Sequence, residues 1–198
     1  MRRTPPTALL LDFDGVLRFW DPAVPAAVEA QYGLAPGVLY RALFHPDRLR
    51  AAVLGRLKHA DWLAEVVAEV GNAEAVARWQ AYRGEIRQPV LDLVRQARAA
   101  GRPVALTTNA TQQLDADLVS LGVADEFDAV ANSSVLGVAK PSAEYFLAVS
   151  ELLGTAPAQC LLLDDSARFV AGARAAGLAA HRYAGPQDLA YVRALLAL

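Results

Sequence analysis

The chain has 198 residues, 55% of them apolar, with 19 Lys and Arg against 21 Asp and Glu for a formal net charge of −2. That length carries one full core plus a small accessory unit and excludes two equal domains. The interspersed charges form no basic stripe for nucleic acid or a membrane surface, and the single cysteine, Cys160, excludes an internal disulfide framework and fits a reducing compartment.

In chain order, Arg2 and Arg3 precede an apolar run, Leu9 to Leu11, that is cut at Asp12. The run is too short for the apolar core of a leader, and no stretch approaches the roughly 18 apolar residues of a membrane span. A cytoplasmic protein is expected, with neither a nucleic acid nor a membrane as partner. The run reads as a buried strand that stops at Asp12-Phe13-Asp14-Gly15-Val16. Residues i and i+2 of a strand share a face, so Asp12 and Asp14 point into one crevice beyond the strand's carboxyl end, where open α/β sheets bind ligands.

Residues 18–87 contain no convincing strand, but helical periodicity recurs around 24–31, 37–44, 60–70 and 73–82. A helical insertion directly after the Asp12 strand sits over the strand ends as a natural lid. From residue 88 the pattern alternates. A helix opens at Gln88-Pro89 and ends at Gly101, a strand runs from Pro103 to Thr107, and a helix from Thr111 to Leu121. Strand-like 127–131 precedes a helix from Pro141 to Leu153. Strand 160–163, helix 166–176, strand 178–183 and a last helix from Pro186 complete the chain. Repeated βα units with uninterrupted apolar strands mean an α/β fold, a Rossmann-like parallel sheet flanked by helices on both faces.

Three further signals lie at strand ends. Asp164-Asp165 closes the apolar run 160–163. Two strands delivering carboxylates to one edge call for a cation, and few oxygen ligands with room for water suit Mg²⁺ better than zinc. Thr107-Thr108-Asn109 offers a hydroxyl and backbone N–H groups able to hold a phosphate oxygen. Lys140 is one of only two lysines beside seventeen arginines. A compact ammonium there departs from the chain's habit, and it is the point charge that carboxylates and phosphate require.

Taken in order, D-F-D-G-V at 12–16, T-T-N at 107–109, K-P at 140–141 and D-D-S at 164–166 resemble the four motifs of the haloacid dehalogenase-like (HAD) hydrolase superfamily. The insertion falls at that family's first cap position, as in subfamily I members with a helical C1 cap. The resemblance implies a core built from residues 1–17 and 88–198 and a small α-helical cap over 18–87. It implies Asp12 as a nucleophile that forms an aspartyl-phosphate, and Asp14 as the acid and base. Thr108, Asn109 and Lys140 would hold the phosphate. Mg²⁺ would sit between Asp12, the backbone carbonyl of Asp14 and Asp165. Similar members carry Asp or Asn where this chain has Phe169, so Asp164 is expected to supply that supporting role.

Dehalogenating members carry a non-acidic residue at the position of Asp14, because a halide leaves without a proton. The resemblance therefore implies a Mg²⁺-dependent phosphatase of a small phosphorylated metabolite. A sugar phosphomutase is the alternative, since D-F-D-G-V also resembles the first motif of the β-phosphoglucomutase branch, although Thr108-Asn109 fits the phosphatase branches better. A catalytically idle interaction or sensor protein on the same fold is a third reading. Trp20, Arg56 and Lys58 are the insertion's candidates for substrate contact, with core packing expected for its aromatic residues in general.

Overall fold

Ala-Leu-Leu-Leu-Asp, with no polar residue before its last position, suits a strand covered on both faces, and β1 (Ala8–Asp12) is buried along its whole length. The computed structural model describes residues 5–198, so Arg2 and Arg3 lie outside the described residues. After β1 come β2 (Arg18–Phe19), α1 (Ala23–Gln31), α2 (Val38–Leu43), α3 (Pro46–Val53), α4 (His59–Val70), α5 (Ala73–Ala81) and β3 (Glu85–Ile86). Then follow α6 (Gln88–Ala99), β4 (Val104–Thr108), α7 (Leu114–Ser120), β5 (Ala129–Asn132), α8 (Ser133–Leu136) and α9 (Ala143–Leu152). The chain ends with β6 (Cys160–Asp164), α10 (Ala167–Ala175), β7 (Ala179–Arg182) and α11 (Asp188–Leu196).

The main sheet is parallel throughout, in the order β5-β4-β1-β6-β7. Alternation along each strand sorts its side chains into two layers. Leu9, Leu11, Leu106, Leu161 and Leu163 pack under α6, α7 and α11, while Leu10, Ala105, Cys160 and Leu162 pack under α9 and α10. Cys160 is therefore a core residue. The register sets Leu11 level with Leu163 and Asp12 level with Thr107, so the ends of β1, β4 and β6 reach one edge together.

Three expectations need correction. Residues 18–87 do hold strands: β2 and β3 pair antiparallel, Arg18 with Ile86 and Phe19 with Glu85. Two-residue strands are too short to show a period of two, and their partner lies far along the chain. Within the insertion, α3 is an additional helix, and its start was legible in Pro46 at the first turn and Asp47 beside it. Pro141 lies two residues before α9 rather than in its first turn. The five helices between β2 and β3 bury an apolar core of their own, around Val28, Leu39, Leu43, Trp62, Val66 and Val76.

One glycine fixes a loop that matters below. Gly172, inside α10, faces Pro141, and a Cβ there would lie 2.5 Å from the Pro141 carbonyl oxygen. In an open helix Gly→Ala would stabilise by about 1 kcal/mol. Here Gly172→Ala is expected to destabilise by about 1–3 kcal/mol, because the helix and the Lys140–Pro141 loop must separate. Urea denaturation checks the sign, and a stabilised variant would show that the loop yields freely.

Candidate active site

Lys140 organises the carboxyl edge of the sheet. Its ammonium donates to Asp12 Oδ1 and to Asp164 Oδ2, each at 2.7 Å, and to the Thr107 carbonyl at 3.2 Å. The contact joins the ends of three adjacent strands. The loop that carries the lysine is held by Asn109, whose side-chain amide donates to the Lys140 carbonyl (3.0 Å) and accepts from the Lys140 N–H (2.9 Å). The Lys140 ammonium also lies 5.0 Å from the centre of the Phe169 ring, so that aromatic covers the cation at the position where an acid or amide was expected.

Charge shows what the cluster could hold. Asp12, Asp164 and Asp165 place carboxylate oxygens within 4.8 Å of one another. One ammonium beside three carboxylates leaves two negative charges, which a divalent cation would balance. Burial, with Asp164 adding to it, pushes Asp12 up to about 7 against the opposing pull of Lys140. Burial and Asp164 also raise Asp165. Burial pulls the Lys140 ammonium down, but Asp12 and Asp164 more than offset it and raise its pKa.

The donor set fits a hard cation on atomic grounds as well. Asp12 Oδ1 already accepts from Lys140 and from the Phe13 N–H at 2.8 Å, which leaves Oδ2 with free lone pairs. Asp164 is used on both oxygens, by Lys140 and by the Ser166 N–H at 2.9 Å. Among the described residues the Asp165 carboxylate accepts no hydrogen bond. It lies over Gly15, where a Cβ would stand 2.1 Å from Asp165 Oδ2 and φ is +88°, so both the space and the backbone require glycine. Asp12 and Asp165 thus present free oxygens, and Asp164 orients the lysine behind them.

Asp14 stands apart from this cluster. Arg18 grips it from two sides, Nε to Oδ1 at 2.7 Å and Nη2 to Oδ2 at 3.0 Å, and Trp20 Nε1 donates to Oδ1 at 2.6 Å. The Arg18 guanidinium also donates to Asp117 Oδ2 on α7 at 2.8 Å and lies over the Phe13 and Trp20 rings. Arg83 joins the same Asp117 at 3.2 Å. Both chain segments that lead into the helical insertion are therefore tied to α7 beside Asp14. Sequence reading missed Arg18, Arg83 and Asp117, because each is an ordinary charged residue until the fold brings them together.

A cavity of about 1360 Å³ opens between the sheet edge and the helices. Asp14, Asn109 and Lys140 line it, together with Trp20. Thr108 is buried at the end of β4 and is not among its lining residues. Arg56 and Lys58 are exposed and outside it, whereas the neighbouring His59 lines the cavity. His59 bonds the core loop after β4 through Thr111 Oγ1 (2.9 Å) and Gln112 (3.0 Å), and Ser133 Oγ donates to the Val53 carbonyl at 2.6 Å. The segment 53–59 therefore docks on the core, and its two exposed cations point elsewhere.

Residues 6–177 match the family model of haloacid dehalogenase-like hydrolases. The chain belongs to that family. Among curated HAD relatives, a phosphoglycolate phosphatase of Chromobacterium violaceum is 38% identical over 84 residues, 42% of this chain and 38% of that protein. Matched stretches cover only 38–41% of the length of the first such relatives. A HAD family enzyme of Bacteroides thetaiotaomicron, solved with magnesium and inorganic phosphate, shares the fold with a TM-score of 0.76 at 21% identity, over 89% of this chain and 93% of that one. An L-2-haloacid dehalogenase of Xanthobacter autotrophicus shares it at 0.67 and 22%, over 97% of this chain and 83% of that one. Among the described residues no helix is long and apolar enough to cross a membrane.

The elevated pKa of Asp12 gives the site a measurable acid–base signature. A cation needs the carboxylate, so below pH 7 its binding must displace a proton. Mg²⁺ affinity is expected to fall roughly tenfold per pH unit below about 7 and to level off above about 8. Calorimetry in buffers of differing ionisation heat should count close to one proton released at pH 6. A pH-independent affinity between 6 and 8 would mean that Asp12 is already ionised or is no ligand.

Proposed function

We propose that this chain hydrolyses phosphate monoesters, with Asp12 as nucleophile and Asp14 as acid and base. The observation that carries the reading is the placement of two acids with different duties. Asp12 is buried against an ammonium, and Asp14 lines the cavity outside the lysine cluster, with Arg18 and Trp20 on Oδ1 and a single, longer contact from Arg18 on Oδ2. Displacing a halide would need no such second acid. The phosphatase names among the relatives support the same class.

The chemistry follows from the atoms. One Asp12 carboxylate oxygen forms a bond to phosphorus as the bond from phosphorus to the ester oxygen breaks. Asp14 Oδ1 accepts from both Arg18 and Trp20 while Oδ2 accepts only the longer bond from Arg18, so Oδ2 is the oxygen that gives a proton to the departing alcohol. The same oxygen then takes a proton from the water that attacks phosphorus, which frees phosphate and regenerates the Asp12 carboxylate. Lys140 and backbone N–H groups after Thr108 hold the non-bridging oxygens, and Asn109 serves mainly by fixing the Lys140 loop. Mg²⁺, held by Asp12, Asp165 and the Asp14 carbonyl, would offset the repulsion between carboxylate and phosphate. Asp164 keeps Lys140 and Asp12 in register.

In this reading the segment 18–87 is a cap over a core formed by 1–17 and 88–198. Its own apolar core and its tethering through β2 and β3 support that division. Closure would exclude water from the first displacement, and opening would admit it for the second.

Asp12→Asn is nearly isosteric and cannot form the phosphate ester. It is expected to lower phosphate release by at least on the order of 10³-fold with an unchanged circular dichroism spectrum. Residual turnover within tenfold of the parent would remove Asp12 from the reaction.

A further inference from the structure

The cavity over the site has a composition that its position does not explain. At about 1360 Å³ it exceeds the roughly 300–1,000 Å³ usual for small-molecule sites, and a two- or three-carbon phosphate ester would leave most of it unfilled. Its helical wall is aromatic. On α2, Leu39, Ala42 and Leu43 turn into the helical core, while Tyr40 and, just past the helix end, Phe44 line the cavity. Their rings stack at 4.6 Å and remain 63% and 50% exposed. At another part of the wall Trp20 stacks on Trp79 at 6.3 Å and meets the Tyr82 ring edge-on at 5.5 Å.

Three polar groups among the aromatic and neighbouring lining residues are already committed inside the protein. Trp20 Nε1 donates to Asp14, and Tyr82 Oη accepts from the Asp21 N–H. Glu29 accepts from the Gly37 and Leu39 N–H groups with both oxygens. A sugar or a short hydroxy acid needs an array of free donors and acceptors. Beside the Tyr40 hydroxyl and Arg50, most of what this wall offers is ring faces and aliphatic carbon, which favour a flat apolar group.

We propose that the alcohol half of the substrate carries an aromatic ring system, seated on the Tyr40–Phe44 face while its phosphate meets Asp12. The inference rests on the phosphatase reading and narrows it to aromatic phosphate monoesters. Tyr40 and Phe44 then act as specificity residues remote from the reacting atoms, and their contacts count only for substrates long enough to reach them.

The test uses alcohols of similar acidity, so that leaving-group chemistry does not mimic recognition. With Mg²⁺ present, kcat/KM is measured for 2-naphthylmethyl phosphate, ethyl phosphate and fructose 1-phosphate. The ring ester is expected to exceed each of the others by roughly 10- to 100-fold, the value of burying one ring. Tyr40→Ser and Phe44→Ser should each cut the ratio of ring ester to ethyl phosphate by roughly tenfold. Both positions are exposed enough for α2 to keep its fold. A ratio near one, or a preference for fructose 1-phosphate, overturns the aromatic assignment and leaves phosphate hydrolysis standing. If no ester is turned over, the phosphatase reading fails, and calorimetric titration with 2-naphthylmethanol decides the remainder. Binding weakened by Tyr40→Ser upholds the aromatic seat, and no binding to the parent overturns it.

Discussion

The contact on which the rest depends is the Lys140 ammonium between Asp12 and Asp164. Two buried carboxylates at the ends of adjacent strands repel each other strongly in a medium of low dielectric constant. One cation 2.7 Å from each relieves that repulsion, and it also aligns β1, β4 and β6 at their carboxyl ends. Taking the ammonium away would leave both acids uncompensated, a loss of about 3–5 kcal/mol for a buried pair of this kind. Much of the surrounding architecture serves to deliver that one side chain. Asn109 clasps its backbone, Gly172 lets α10 approach its loop, and Phe169 covers its cation.

The same contact explains why the site calls for a further cation. A single lysine neutralises one carboxylate, and the cluster holds three. The oxygens open to a cation are those of Asp12 and Asp165, and not those of Asp164, which both have protein partners. Asp14 is kept out of this balance by its own arginine, which separates it from Asp12 as the proposed proton-transfer role requires.

How far the sequence revealed this follows from the range of each signal. Asp12, Asp164 and Asp165 end apolar runs, and Lys140 breaks a habit of arginine, so each announces itself within a few residues. The parallel sheet was legible for the same reason, since strands such as Leu161 to Leu163 are apolar on both faces. What stayed hidden depends on long-range pairing. β2 and β3 are two residues each and find one another across the whole insertion. Arg18 and Asp117 are 99 positions apart, and nothing near either forecasts the bond. Arg56 and Lys58 stand in a segment that resembles the cap segment reaching the substrate, but that segment docks through His59, and the two cations before it are exposed and outside the cavity. The aromatic wall was visible only as helix-forming hydrophobics, because Tyr40 and Phe44 keep the same spacing as a core stripe.

The central claim is that Asp12 itself carries the phosphoryl group during turnover. Borohydride reduces an aspartyl-phosphate to homoserine, so quenching the enzyme with it during hydrolysis and sequencing the peptide that spans Ala8 to Leu17 by mass spectrometry tests that claim most directly. The account predicts homoserine at position 12 and aspartate at 14. Phosphate release with unmodified Asp12 under the same conditions, or reduction at Asp14 instead, would contradict it.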